Sequence, residues 1–156
     1  MAGFTNRGKL RLLEWGFRRS HDGGALPTNL YVALVTSATA PDADTNTFSQ
    51  LTEIADGNGY TTGGYQLTPN STDFDTLTED DSNDRAITQI KDVVWTASGG
   101  NIPGSGDGAR YAVLLDDNGT IADREVLAYW DLESSVSVGD GSPLTLEDVT
   151  LRGLES

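Results

Sequence analysis

The sequence predicts a mainly β protein: an antiparallel β-sandwich of jelly-roll type with one short N-terminal α-helix. Three observations predict it. Apolar, β-branched segments of strand length recur from Leu30 onward, as in "NLYVALVTS", "RAITQIKDVVWTA" and "ARYAVLLDD". Turns drawn from 18 glycines punctuate them. Helical periodicity occurs in one stretch only, at the front. A chain of 156 residues has single-domain size and can bury a core without staples; lacking cysteine, it has no disulfides or thiolate metal sites.

The helix is predicted over Thr5–Arg19, with Thr5 or Asn6 capping its first turn. At about 100° per residue, Leu10, Leu13 and Phe17 share one face, and Phe4, Leu12 and Trp15 lie nearly opposite. Arg7, Arg11, Arg18 and Glu14 form a stripe between the two faces. Gly8 and Gly16 each weaken the helix by roughly 1 kcal/mol relative to alanine, so it needs packing to be stable.

"SHDGGALP" reads as a loop, and Leu30–Ser37 as a strand apolar on both faces, hence buried on both. A long polar connection follows. "YTTGGYQLTP" suggests two short strands about Gly63-Gly64, and "STDFDTLTEDDSND" an acidic loop. "RAITQIKDVVWTA" reads as one long strand. "ARYAVLLDDNGTIADREVLAYWDL" reads as two strands turning at Asn118-Gly119. "SVSVGDGSPLTLEDVTL" reads as a second hairpin, with a bulge between Leu146 and Val149. The expected core is Leu30, Val32, Leu34, Ile90, Val94, Val113, Leu115, Val126, Leu144 and Leu146. The expected organisation is a basic helix and docking segment over 1–22 and a β-sandwich domain over 23–156.

Charge divides the chain unevenly. Net charge is −14, yet the first twenty residues hold five of the ten bases, Arg7, Lys9, Arg11, Arg18 and Arg19, and one acid, Glu14. An acidic surface repels phosphate, so nucleic acid is not expected as a partner. No apolar run reaches the ~20 residues of a membrane helix, and the charged front has no signal-peptide core, so cytosolic synthesis without membrane association is expected.

Motifs for catalysis and cofactors are weak. The lone histidine, His21, reads as a solvated loop residue, and no "GxSxG" elbow or phosphate loop is present. "GSGDGA" has dinucleotide-type glycine spacing, but the strand "RYAVLLDD" follows where a helix is required. Asp42, Asp44, Asn46, Phe48, Gln50 and Glu53 fall at calcium-loop positions, but Thr47 stands where the sharp turn needs glycine. The expectation is therefore no catalytic residue, no cofactor and no metal. Trp95, Trp130, Tyr60 and Tyr65 could form a stacking platform for sugars, the carbohydrate-binding alternative.

Five stretches carry a resemblance when taken in order: "LYVALVTS", "GNGYTTGGYQL", "VVWTASGG", "ARYAVLLDD" and "SVGDGSPLTLEDVTL". Together, over about Asn29 to Leu151, they resemble small β-sandwich virion proteins of tailed bacteriophages. In that family an early "LYVALFTS" strand precedes a "GGGY" segment, a "GIFD" strand and a closing "GD" hairpin. The basic N-terminal helix and the acidic loops depart from that pattern. The resemblance implies a non-enzymatic structural protein, first a capsid decoration (cement) protein on the outer head surface, alternatively a tail, neck or fibre-attachment component. Its implied partners are the major capsid protein or another virion protein, and further copies of itself as a dimer or trimer. The expected partner-binding residues are Phe4, Arg7, Arg11, Leu12, Trp15 and Arg18.

Overall fold

The computed structural model describes residues 2–153. It is mainly β, antiparallel and sandwich-like, with one α-helix near the N-terminus. In chain order the elements are β1 (Ala2–Phe4), α1 (Asn6–Phe17), β2 (Leu30–Val35), β3 (Tyr65–Leu67), β4 (Thr76–Asp80), β5 (Arg85–Ile90), β6 (Val93–Thr96), β7 (Ala109–Leu115), β8 (Val126–Val136), β9 (Pro143–Leu146) and β10 (Val149–Gly153). A five-stranded sheet in the order β1-β8-β7-β2-β3 forms one layer. A three-stranded sheet, β10-β5-β4, and a two-stranded one, β6-β9, supply the other.

The main core lies between these layers. Leu30, Val32 and Leu34 of β2, Ala112 and Leu114 of β7, and Ala128 and Trp130 of β8 meet Ile90, Val93, Trp95, Leu144, Leu146, Val149 and Leu151. The opposite face of the large sheet is buried as well. There Ala33, Val35, Val113, Leu115 and Val126 pack under Phe48, delivered by the long connection after β2. β2 is therefore covered on both faces, as its unbroken apolar run requires.

Several elements differ from the sequence reading. "RAITQIKDVVWTA" is two strands: β5 pairs with β4 and β10, whereas β6 pairs with β9. At the break the Lys91 amide leaves the ladder and donates to the Asp73 carbonyl at 3.0 Å. The break shifts the alternation by one, so Val93 and Trp95 are buried and Val94, expected in the core, is 46 % exposed. The closing "hairpin" does not form: its first arm is the end of β8, where Val136 pairs with Ala109 of β7, followed by Val138 bridged to Ile102, while β9 pairs with β6 and β10 with β5. The slip between Leu146 and Val149 is a change of sheet, with Asp148 at φ 51°. β7 and β8 are antiparallel neighbours as expected, but their connection does not turn tightly at Asn118-Gly119. It runs from residue 116 to 125 around one 3-10 turn, Ile121–Asp123, with Asp116 Oδ1 accepting from the amides of Asn118 and Glu125.

Part of the expected acidic loop is strand β4, an edge strand whose exposed Glu79 suits a solvent-facing border. Only one strand, β3, follows Gly63-Gly64. Gly64 sits at φ +82° with Val32 O only 2.1 Å from where a Cβ would stand, so the glycine pair is a close approach of backbones. The front segment is not a free arm. β1 is the edge strand of the large sheet, in register with β8 from Ala2↔Trp130 to Phe4↔Ala128.

Candidate functional site

The site begins with how α1 is held. Thr5 caps the helix: its Oγ1 accepts from the Gly8 amide at 2.9 Å and donates to the Val126 carbonyl, while its own amide donates to Leu127 O at 3.0 Å. A Cβ on Gly8 would lie 1.9 Å from Leu127 O, so glycine lets the first turn rest directly on β8. One turn later Arg11 points inward and is buried. Its Nε donates to Glu125 Oε2 at 2.6 Å, its Nη2 to Glu125 Oε1 at 2.7 Å, and its Nη1 to Glu14 Oε2 at 2.5 Å. The planar fork thus engages Glu125 with two parallel bonds and ties helix to sheet. The hydrogen bonds that Arg11 donates, to Glu125 first and then to Glu14, raise its guanidinium above its ordinary value. The bond from Arg11 in turn pulls the Glu14 carboxyl down to about 2.

His21 completes the seat. Trp15 Nε1 donates to His21 Nδ1 at 3.0 Å, and His21 Nε2 lies 3.1 Å from Asp116 Oδ2. An indole nitrogen only donates, so Nδ1 must be the acceptor and the ring proton sits on Nε2, aimed at Asp116. Burial raises the Asp116 carboxyl above its ordinary range. The expectation of a solvated histidine is corrected: the ring is 18 % exposed and bridges helix and sheet. Asx and glycine signals marked the loop, but nothing in the local sequence marked Trp15 or Asp116 as its partners.

His21, Asp116 and Glu125 offer ligand atoms within 4.8 Å of one another, the spacing of a metal site. The hydrogen bonds argue for a different use. A cation on Nε2 would require the proton on Nδ1, where the Trp15 indole already points its own. Glu125 also has both oxygens committed to Arg11. The three groups act as a structural bracket around the helix seat. With both ring nitrogens engaged, His21 is also not poised against a nucleophile.

With its inner side fixed, α1 shows a second side to solvent. Leu10, Leu13 and Phe17 are 51 %, 47 % and 85 % exposed. Lys9, Arg18 and Arg19 are exposed around them and, among the described residues, lie beyond 4 Å of any carboxylate. Beneath the inner side, between α1 and the β10-β5-β4 sheet, opens an apolar cavity of about 390 Å³. Phe4, Leu12 and Trp15 line one wall, Leu151, Thr88 and Leu77 another, and Phe74 a third. Leu151, Thr88 and Leu77 are one cross-strand row, by the register of β10, β5 and β4.

The expected partner-binding residues therefore separate. Phe4 and Trp15 are half-buried, packing on the main core and lining the cavity, whereas Arg11 is buried in the seat. Arg7 is half-buried, 3.6 Å from Glu125. Leu12 is 40 % exposed at the cavity mouth, and Arg18 is exposed at the helix C-cap. The face that does meet solvent, Leu10, Leu13 and Phe17, was recognised as apolar but not as the outer one. Gly8 was the signal that could have oriented the helix, because it lies on the Phe4–Trp15 side, where close backbone approach is needed.

Other candidates are used elsewhere. Tyr60, Trp95 and Trp130 are buried, so they form no platform for sugars. Glu53 accepts from Tyr60 Oη at 2.8 Å and from the Gly63 amide at 2.7 Å, and burial raises both groups above their ordinary values. Asp42 instead caps its own turn, accepting from the Asp44 amide and Thr45 Oγ1. "GSGDGA" is the loop leading into β7, as its following strand implied. No family model, curated protein or solved structure matches the chain.

Proposed function

We propose that this chain is a non-enzymatic virion structural protein of a tailed bacteriophage, a capsid decoration protein that binds the outer head surface and stabilises it. One observation carries the reading: α1 is fixed to its own body by a buried charge network, yet presents Leu10, Leu13 and Phe17, bordered by Arg18 and Asp22, on a segment that also exposes Lys9 and Arg19. A large apolar residue held at 85 % exposure on a rigid element marks an interaction surface. The order of strands and glycine turns that resembles small phage virion proteins supports the same reading. So does the engagement of His21 by Trp15 and Asp116, which gives its imidazole a structural task.

The acidic remainder favours solubility, while the cationic helix steers each copy onto an apolar and anionic partner. Quantitative mass spectrometry of purified phage particles carrying the chain tests this. A copy number in proportion to the head lattice is expected. A single ring's worth of copies moves the protein to the tail or neck, and absence from particles refutes the proposal.

A further inference from the structure

Building on that reading, we infer that the partner of the α1 outer face is a second copy of this chain, whose apolar cavity receives Phe17. The two most exposed large apolar side chains among the described residues are Phe17, at 85 %, and Leu77, at 81 %. One is the tip of a ridge and the other the lip of a hollow. The hollow, about 390 Å³, is large against the roughly 150 Å³ cavity that suffices for a benzene ring. It therefore has room for the Phe17 ring together with Leu13. Its lining carries no charged side chain, so it suits an apolar insert.

Charge identifies whose insert it is. Phe17 is followed directly by Arg18 and Arg19, exposed and without a carboxylate within 4 Å among the described residues. The lip of the cavity is acidic. Glu79 lies two residues beyond Leu77 and so on the same face of β4, and Asp75 adjoins the cavity-lining Phe74. Both acids are exposed and, among the described residues, neither has an Arg or Lys partner within 4 Å. A basic knob and an acidic hole on one molecule, on opposite sides of the same helix, are complementary between copies. Such a contact is heterologous: it joins copies head to tail and closes into a ring or continues over a lattice.

Sedimentation velocity of the purified full chain tests this without any phage particle. Wild type is expected to self-associate, more weakly as salt rises. Phe17→Asp and Leu77→Asp should each weaken association about tenfold or more and, as both side chains are exposed, keep the wild-type melting temperature. Mixed together, the two variants should form a 1:1 dimer that grows no further, since one retains the hole and the other the knob. A chain monomeric at high concentration overturns the inference, whatever small molecule its cavity takes up. So does a mixture that fails to pair, or a Leu77→Asp variant that associates like wild type, which would mean helix-on-helix contact. If self-association fails but particles still carry the chain, the virion role stands and only the partner is wrong.

Discussion

Gly8 and Gly16 lie in the same helix, yet the structure assigns their replacement by alanine opposite effects. At Gly16 nothing lies within 4 Å of an added Cβ, so Gly16→Ala gains only helix propensity, about 0.5–1 kcal/mol. At Gly8 the same gain is opposed by a Cβ 1.9 Å from Leu127 O, a backbone atom of β8, which is hydrogen-bonded on both sides within its sheet. Relief requires the helix to move outward by roughly 1.5 Å to reach ordinary contact distance. That movement loses the Thr5–Leu127 bond, worth about 1 kcal/mol, and loosens the buried Arg11–Glu125 pair, whose disruption costs about 3–5 kcal/mol in full. With partial relaxation, Gly8→Ala should lose about 2–4 kcal/mol. Urea unfolding at constant m-value measures both variants. By heat, a chain of this size should shift by roughly 2–4 °C per kcal/mol, upward for Gly16→Ala and downward for Gly8→Ala. A Gly8→Ala protein as stable as wild type would mean that α1 does not rest on β8, and the argument for a fixed outer face would go with it.

Three further predictions use the same measurements. His21→Ala should destabilise by about 1–3 kcal/mol, because it strands the Trp15 indole donor and the buried Asp116 oxygen; an unchanged stability would restore the solvated-loop reading. Ile90→Ala should cost about 2–5 kcal/mol while Val94→Ala stays within about 0.5, and the reverse order would contradict the strand break at Lys91-Asp92. Glu14 is held at about 2 against an ordinary 4.5, so its contribution is present above 4.5 and is lost as pH falls toward 2. The stability gap between wild type and Glu14→Gln should therefore narrow over that window, and a gap that stays constant would show that Arg11 does not hold Glu14.

The fold class was legible because strand alternation and glycine turns are local signals. Leu30–Val35 announced a doubly buried strand through its unbroken apolar run, and Thr5 announced the helix start through capping chemistry. Which strands share a sheet was not legible. Lys91-Asp92 interrupts no apolar pattern strongly, so the change of sheet there is decided by tertiary pairing with β9 and β10. β1 escaped notice because three residues carry no periodicity. For the site, the two apolar sides of α1 were plain, but which one faces inward depends on Leu127 and Glu125, more than a hundred residues away. The arginines illustrate the difficulty: among the described residues Arg11 has its carboxylate within the chain, whereas Arg18 and Arg19 have none within 4 Å.

A docking surface on the outer face of α1 must lose its exposure on assembly, and oxidative footprinting of Phe17 reads that loss. The side chain is 85 % exposed in the isolated chain and should be oxidised readily there. In the assembled particle it should be strongly protected, its oxidation rate falling by about tenfold or more, as expected for an anchor buried at an interface centre. Oxidation at the same rate in the free chain and in the particle would contradict it.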